Sequence, residues 1–456
     1  MGDPVVSVCI PAFQAERYVR VAVESALAQT ELELEVIVFD DASTDGTIAA
    51  LADLDDPRLR LCRQHTNVGI SRNRNSCLKR ARGRYLAWLD ADDLLLPGAL
   101  ARAVAVLDRF PTVGFVHGGH YVIGDDDRRL PEWPAPFGED TVEPGRAAFA
   151  ELLLSNYVTS STAVVRRECY LAVGTYDPAL ARSGEDWELW LRIAARYDVA
   201  YIAAPLASYR RHAASATAPF AGAGAGVALD RVAVDTALGR HSWADRSRAY
   251  AALAAKALQA AGRAYAAGAT REAAAVDAFA VRLFPSLAAS RSAWALPAAR
   301  LRHDDWACFR HNRALLGRIH SHLTGTRFAR TLEKLVVPDR DWADEIAAVA
   351  DVVRSHVPRN GLVAAVDKHD PTLLHLARRR GWHVPDLRLL AGYPRDGREA
   401  VAHLDALRAQ GASHFVLPSH AFWWLDHYTE LAARLDTYRA VWSDDHCRIY
   451  ELEVAA

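Results

Sequence analysis

Neither of the two common glycine-rich phosphate loops is present: no GxGxxG follows the first predicted strand and no GxxxxGK[ST] exists. That argues against a dinucleotide site or a P-loop, so a nucleotide, if bound, is held by other means. Charge of one sign is also missing, with 54 Lys and Arg against 56 Asp and Glu and a net charge of −2, which argues against nucleic acid as the partner. Six cysteines (Cys9, Cys62, Cys77, Cys169, Cys308, Cys447) are scattered without CxxC spacing. They read as reduced thiols, with no disulfide framework and no zinc site. No run of 18 uncharged, strongly apolar residues occurs, because the Ala-rich stretches after 245 are interrupted by Lys256, Arg263 and Arg271. A predicted strand starts at Val5 with no basic, apolar leader before it. The expectation is a cytoplasmic protein without a transmembrane segment, for which peripheral membrane contact stays open. At 456 residues, two or three domains are expected.

What is present is centred on Tyr85-Leu86-Ala87-Trp88-Leu89-Asp90-Ala91-Asp92-Asp93. Five apolar residues without alternation read as a strand buried on both faces, as in the middle of a parallel sheet. Three carboxylates follow within four residues. Ligands of open α/β sheets sit at the carboxyl ends of strands, and acids this close repel unless they share something positive. A hard divalent cation that also holds phosphate oxygens is one reading, and a solvated acidic turn before the helix at Pro97 is the other.

Strands and helices alternate around this stretch. Val5–Ile10, stopped by Pro11, Leu34–Phe39, Arg58–Cys62 and Val113–His117 read as strands, and Glu16–Thr30, Ser71–Ala81 and Pro97–Phe110 as helices. Ser43-Thr44-Asp45-Gly46 supplies turn and N-cap chemistry for a helix through Leu54. This alternation predicts βαβ units and a mostly parallel sheet, with the acids of Asp40-Asp41 and of Asp90, Asp92 and Asp93 at one rim. Ser160–Arg166 reads as a further strand. Glu185 and Asp186 open a helix that carries Trp187, Trp190 and Leu191 on its apolar face. At that place they are either dipole-favoured capping acids or a general base at a cleft mouth. Val199–Pro205 is a strand, and Tyr209-Arg210-Arg211-His212 ends the compact part. The Ala, Gly and Ser-rich stretch 213–226 reads as a linker or a flap.

Five separated pieces, in this order, resemble family-2 glycosyltransferases of the GT-A fold. They are Ile10-Pro11-Ala12-Phe13-Gln14, Asp40-Asp41-Ala42-Ser43-Thr44-Asp45-Gly46-Thr47, Asn67-Val68-Gly69 with Arg74-Asn75, Leu89-Asp90-Ala91-Asp92-Asp93 (the DxD motif), and Gly184-Glu185-Asp186 with Tyr209-Arg210-Arg211-His212. The resemblance covers residues 5–215. It implies a UDP-sugar or related nucleotide-diphosphate sugar donor, a saccharide or glycoconjugate acceptor, Mg²⁺ or Mn²⁺, and inversion at the anomeric carbon. Polysaccharide or glycoconjugate assembly is the setting it suggests. By the same resemblance Pro11, Ala12, Phe13, Asp41, Asn67, Gly69, Arg74, Asp90 and Arg210 contact the nucleotide sugar. Asp92 is the principal metal ligand with Asp90 and His212 beside it, Asp93 stays ambiguous, and Asp186 is the base with Glu185 next to it. For Arg74 and Arg210 a structural ion pair remains open, and for His212 a structural hydrogen bond.

The chain after 225 is expected to divide into a helical connector, 226–338, and a small α/β domain, 339–456, behind a transferase domain 1–225. Arg246–Ala266 and Thr270–Leu283 read as paired helices broken at Gly268. A strand at Leu362–Val366, helices Pro371–Arg380, Arg398–Gln410 and Ala421–Leu435, a strand His414–Leu417 and a closing hairpin make up the last part. Phe422-Trp423-Trp424 either anchors a helix in the core or lines an acceptor groove. Two other functions are weighed. A catalytically inactive sugar-nucleotide-binding scaffold, whose C-terminal half binds a partner, would not need both the acidic triplet and Asp186. A nucleotidylyltransferase would need a Gly-rich basic loop where Pro11-Ala12-Phe13-Gln14 stands.

Overall fold

Strand β1 (Val6–Ala12) and strand β2 (Leu34–Asp40) are buried along their whole length and pair in parallel, Val6 opposite Leu34 and Ala12 opposite Asp40. Strand β4 (Tyr85–Trp88) lies on the other side of β1, also parallel, with Cys9 opposite Trp88. Strands covered on both faces need no polar alternation, which is why all three read as plain apolar runs. In this computed structural model the described residues are 3–130, 136–180, 184–212, 215, 224–301, 305–336, 340–366, 371–384, 394 and 396–452. They form two compact units, Met1–Leu253 and Ala254–Ala456.

The first unit is a mixed sheet in the order β3-β2-β1-β4-β8-β6-β9-β5, with β7 on β9. The remaining strands are β3 (Leu59–Arg63), β5 (Leu94–Leu95), β6 (Val113–Ile123), β7 (Thr141–Glu143), β8 (Val164–Arg166) and β9 (Asp198–Arg210). Its helices are α1 (Val19–Leu27), α2 (Ile70–Arg80), α3 (Ala99–Arg109), α4 (Gly145–Leu152), α5 (Arg167–Val173), α6 (Glu185–Ala194) and α7 (Ala225–Arg240). The expected mostly parallel α/β fold is therefore present, with β8 antiparallel to both β4 and β6. Val6, Val8, Ile10, Val36, Val38, Tyr85, Ala87 and Leu89 meet the inner faces of α1 and α3 in one apolar core.

Three local expectations change. Pro11 does not stop β1, which runs to Ala12. Cys9 presents its carbonyl to Leu89 on the β4 side, so Pro11, two residues on, points its missing amide where β4 has already ended. The segment after Ser43 forms no α-helix, only a 3₁₀ turn at Ala49–Leu51, because Ser43, Asp45 and Thr47 turn their side chains to the loop after β1. Ser160–Thr162 is likewise a 3₁₀ turn ahead of the short β8.

Helix α7 follows position 225, where the sequence suggested a boundary, yet it belongs to the first unit. Ala233 of α7 comes within 3.1 Å of where a side chain on Gly184 would start, and Arg240 pairs with Asp177 and the buried Glu188. Gly184 has φ +81°, so its lack of a side chain serves both the turn and the packing. Most of the 213–226 stretch lies outside the described residues.

The unit boundary falls inside helix α8 (Arg246–Ala266). In the second unit α9 (Thr270–Leu283), α10 (Arg291–Leu301), α11 (Asp305–His322) and α12 (Arg327–Val336) pack in succession, followed by α13 (Arg340–His356). A second sheet follows in the order β11-β10-β12-β14-β13. It comprises β10 (Leu362–Ala365), β11 (Arg380–His383), β12 (His414–Pro418), β13 (Arg439–Ser443) and β14 (Cys447–Glu451), with helices α14 (Thr372–Ala377), α15 (Gly397–Ala409), α16 (Trp423–His427) and α17 (Thr429–Leu435). Trp424 is buried in its core, which anchors the helix, while Trp423 is 45% exposed.

Between α9 and α10, Asp277 and Arg300 form a buried pair, Oδ2 to Nε 3.2 Å, and burial pushes the Asp277 carboxyl up to about 6. Asp277→Leu leaves the guanidinium buried without its anion and is expected to cost about 3–5 kcal/mol in urea unfolding. Asp277→Leu with Arg300→Leu should recover most of that loss. Additive losses would show that the pair is not coupled.

Candidate active site

Because β1, β2 and β4 run parallel and in register, the loops that follow them leave from the same edge of the sheet. The loops after β1 and β2 are stitched together by side chains. Gln14 Oε1 accepts from the amides of Thr44 (2.8 Å) and Asp45 (3.3 Å), and the Gln14 amide donates to Ser43 Oγ (2.9 Å). Gln14 and Ala42 both have positive φ, +52° and +60°, a conformation that non-glycine residues hold only where the surroundings impose it. Strain of this kind concentrates at functional sites, and here it sits in the two loops expected to cradle a nucleotide. Phe13 projects from this edge 52% exposed and Asn67 is exposed, while Pro11 and Ala12 are buried within the strand.

Asp41, expected at the base and ribose, has both carboxylate oxygens engaged. Oδ1 accepts from Val68 N (2.8 Å) and Oδ2 from Gly69 N (2.9 Å), fixing the turn that starts α2 at Gly69, φ +83°. The neighbouring Asp40 is fully buried against Arg63.

The acidic triplet at the end of β4 points three ways. Asp93 faces inward, 1% exposed, accepting from Ser161 Oγ (2.6 Å) and from the Arg210 amide (2.8 Å). Burial first, then the charges of Asp92 and Asp90, hold its carboxyl well above the usual range against those two donors. It fastens the end of β4 to the end of β9. Asp90 turns the other way, to Arg74 Nη2 at 2.9 Å. Asp92 faces outward and meets His212, Oδ2 to Nε2 2.9 Å, with side-chain exposures of 27% and 10%. Strand β9 makes this meeting possible: Leu94 pairs with Ser208, so the end of β9 runs back past Asp92 and brings His212, 120 residues away in the chain, to its carboxylate.

Arg210, expected on the nucleotide, is instead built into the wall. Its side chain is 1% exposed and donates to the carbonyls of Asp92 (2.8 Å) and Gly124 (2.9 Å) and to Asp127 (2.6 Å). Its guanidinium also lies over the Tyr18 ring, 4.6 Å from the centroid. Tyr18 in turn donates to Asp125 (2.5 Å) and packs on His212, ring centroids 4.9 Å apart. The acidic turn 124–127 is thus tied to the site. Tyr18 carried no sequence signal. The three consecutive hydroxyls Ser160-Ser161-Thr162 were a usable one, since Ser160 and Ser161 reach Arg74 and Asp93.

On the other side lies a second cluster, made by Arg74, Asp90, Glu185 and Asp186. Arg74 is 4% exposed, Glu185 is 6% exposed at the start of α6, and Nε to Oε1 is 3.5 Å. Three carboxylates around one guanidinium leave excess negative charge. Burial, then the Asp186 charge, push the Glu185 carboxyl up to about 7 while Arg74 pulls it down. Burial raises Asp186 and Asp90 as well, again with Arg74 opposing. Asp90 keeps 32% of its side chain exposed. A carboxylate of raised basicity at a helix start beside an open rim suits proton abstraction.

Asp92 and His212 place a carboxylate oxygen and an imidazole nitrogen face to face, a donor pair that fits a divalent cation. Among the described residues no group of three His, Cys, Asp or Glu is arranged around one point, so further ligands would have to come from phosphate oxygens or water. No helix among them is long and apolar enough to cross a membrane.

Residues 7–170 match the family model described as Glycosyl transferase family 2. The uncharacterized protein MT1568 of Mycobacterium tuberculosis is 31% identical over 229 residues, 47% of this chain and 69% of that protein. The Escherichia coli protein named UDP-Glc:alpha-D-GlcNAc-diphosphoundecaprenol beta-1,3-glucosyltransferase WfgD is 30% identical over 126 residues, 28% of this chain and 49% of its own length. Among solved structures, Staphylococcus aureus TarS 1-349 is similar at 18% identity and a TM-score of 0.45, covering 68% of this chain and 89% of that one.

Proposed function

The chain belongs to glycosyl transferase family 2, and on that premise we propose that it moves a sugar, with inversion, from a nucleotide-diphosphate donor to an acceptor hydroxyl. The observation that carries this reading is the pairing of two clusters at one sheet edge: Asp92 with His212, and Glu185-Asp186 with Asp90 around Arg74. Asp186 takes the proton from the acceptor hydroxyl as that oxygen attacks the anomeric carbon. The nucleoside diphosphate leaves from the opposite face, so one displacement inverts the centre and needs no covalent intermediate. Asp92 and His212 would hold Mg²⁺ or Mn²⁺, which as a Lewis acid would stabilise the charge that develops on the diphosphate. Phe13 and Asn67 face the nucleotide, while Asp41 shapes the Val68–Gly69 turn beside it.

A UDP-sugar is the favoured donor, because the relative WfgD is named for UDP-glucose. A saccharide or glycoconjugate acceptor, and a role in polysaccharide assembly in the cytoplasm, go with it. A scaffold without catalysis has no use for buried acids gathered at the rim. A thermal-shift screen of nucleotide sugars, run with Mn²⁺, with Mg²⁺ and with chelator, tests the proposal. Stabilisation by one or a few nucleotide sugars only when metal is present supports it. Equal stabilisation in chelator overturns the metal assignment, and no response to any nucleotide sugar overturns the donor class.

A further inference from the structure

Arg74 joins the two halves of the site. Its Nη2 lies 2.9 Å from Asp90 Oδ1, its Nη1 donates to Ser160 Oγ at 2.8 Å, and its Nε is 3.5 Å from Glu185 Oε1. The guanidinium packs against the paired rings of Trp88 and Tyr176, with centroids 5.2 and 5.5 Å away and 5.1 Å from each other. Buried, packed against two aromatic rings, hydrogen-bonded through both terminal nitrogens and with an Nε that faces Glu185 without a hydrogen bond, it has little left to offer a nucleotide. A planar guanidinium fork also fixes the directions of its partners, which a lysine ammonium does not.

We propose that Arg74 is a positioning residue that holds the Glu185-Asp186 start of helix α6 at a fixed separation from Asp90, and acts on transfer through those carboxylates without touching the nucleotide. This rests on the transfer reading above. The charged and titratable groups facing the α6 start are Arg74 from α2, Asp90 from the end of β4, Tyr176 from the loop before α6 and Asp230 from α7. Among these named groups Arg74 is the cation, so its loss makes Glu185 and Asp186 harder to ionise.

The test uses full-length Arg74→Lys, Arg74→Met and Ser160→Ala, with three readouts: UDP affinity by calorimetry in Mn²⁺, the pH profile of kcat, and a ¹³C-carboxyl titration without donor. The Glu185 resonance is assigned by its loss in Glu185→Gln. UDP affinity should stay within about threefold of the wild type in every variant. Arg74→Met should lower kcat at pH 7 by about 100-fold. It should also move both the acidic limb and the Glu185 titration upward by about one pH unit. Arg74→Lys should restore most of the titration but little of kcat, because charge returns without the fork. Ser160→Ala, which leaves Arg74 in place and carries the comparison if the Arg74 variants do not fold, should lower kcat with UDP affinity intact. A tenfold or greater loss of UDP affinity with an unmoved Glu185 titration would overturn the proposal and make Arg74 a nucleotide ligand. If the wild type transfers no sugar, the transfer reading fails, while the titration still decides whether Arg74 governs these carboxylates.

Discussion

Asp186→Asn is expected to lower kcat by about 10²- to 10⁴-fold while nucleoside-diphosphate affinity stays near that of the wild type. Asp186 Oδ1 accepts from the Trp187 amide at 2.6 Å. Asparagine can keep that contact and the volume, and loses only the ability to take a proton. The pH profile adds a signed check. Burial raises the Asp186 carboxyl, so kcat should fall on acidification with its limb above the usual carboxylate range and level off at higher pH. Glu185→Gln removes a like charge beside Asp186 and should move that limb to lower pH. It should also stabilise the fold at alkaline pH. The native Glu185 keeps its proton up to about 7 while the unfolded chain releases it near 4.5, so stability declines as pH rises through that window. Steady-state kinetics and melting curves across pH read both effects. An Asp186→Asn enzyme with undiminished kcat would remove Asp186 as the base.

Asp92→Ala and His212→Ala should each weaken Mn²⁺-dependent UDP binding by about 10- to 100-fold, measured by calorimetry. The double variant should lose little more than either single one, because both side chains would hold the same ion. Asp93→Ala provides the contrast. Its carboxylate is spent on Ser161 and the Arg210 amide, so the expected change is a lower melting temperature, of about 1–3 kcal/mol in stability. Fully additive losses at Asp92 and His212, or metal-independent UDP binding of unchanged strength, would contradict the shared-ion assignment.

The sheet of the first unit was legible because its central strands are unbroken apolar runs, and the sites at their ends because acids follow those runs directly. Boundaries were lost where a neighbour's geometry decides, as at Pro11 and at Arg380, which reads as the last residue of a helix and opens edge strand β11. The orientation within Asp90-Ala91-Asp92-Asp93 was not legible. Each carboxylate is aimed by residues far along the chain: Arg74 for Asp90, His212 for Asp92, Ser161 and Arg210 for Asp93. Motif position likewise put Arg74 and Arg210 near the nucleotide, whereas burial and packing put them into the protein frame that holds the acids. Function class follows from which residues are present, and individual roles follow from partners that local sequence does not reveal.

The most direct measurement is an anomalous-diffraction map of the protein crystallised with Mn²⁺ and UDP. A single manganese peak bonded to Asp92 and His212 and to the diphosphate oxygens, with Asp186 facing open space across from the diphosphate, is the predicted result. UDP bound without manganese at Asp92 and His212, or manganese held elsewhere, would contradict it.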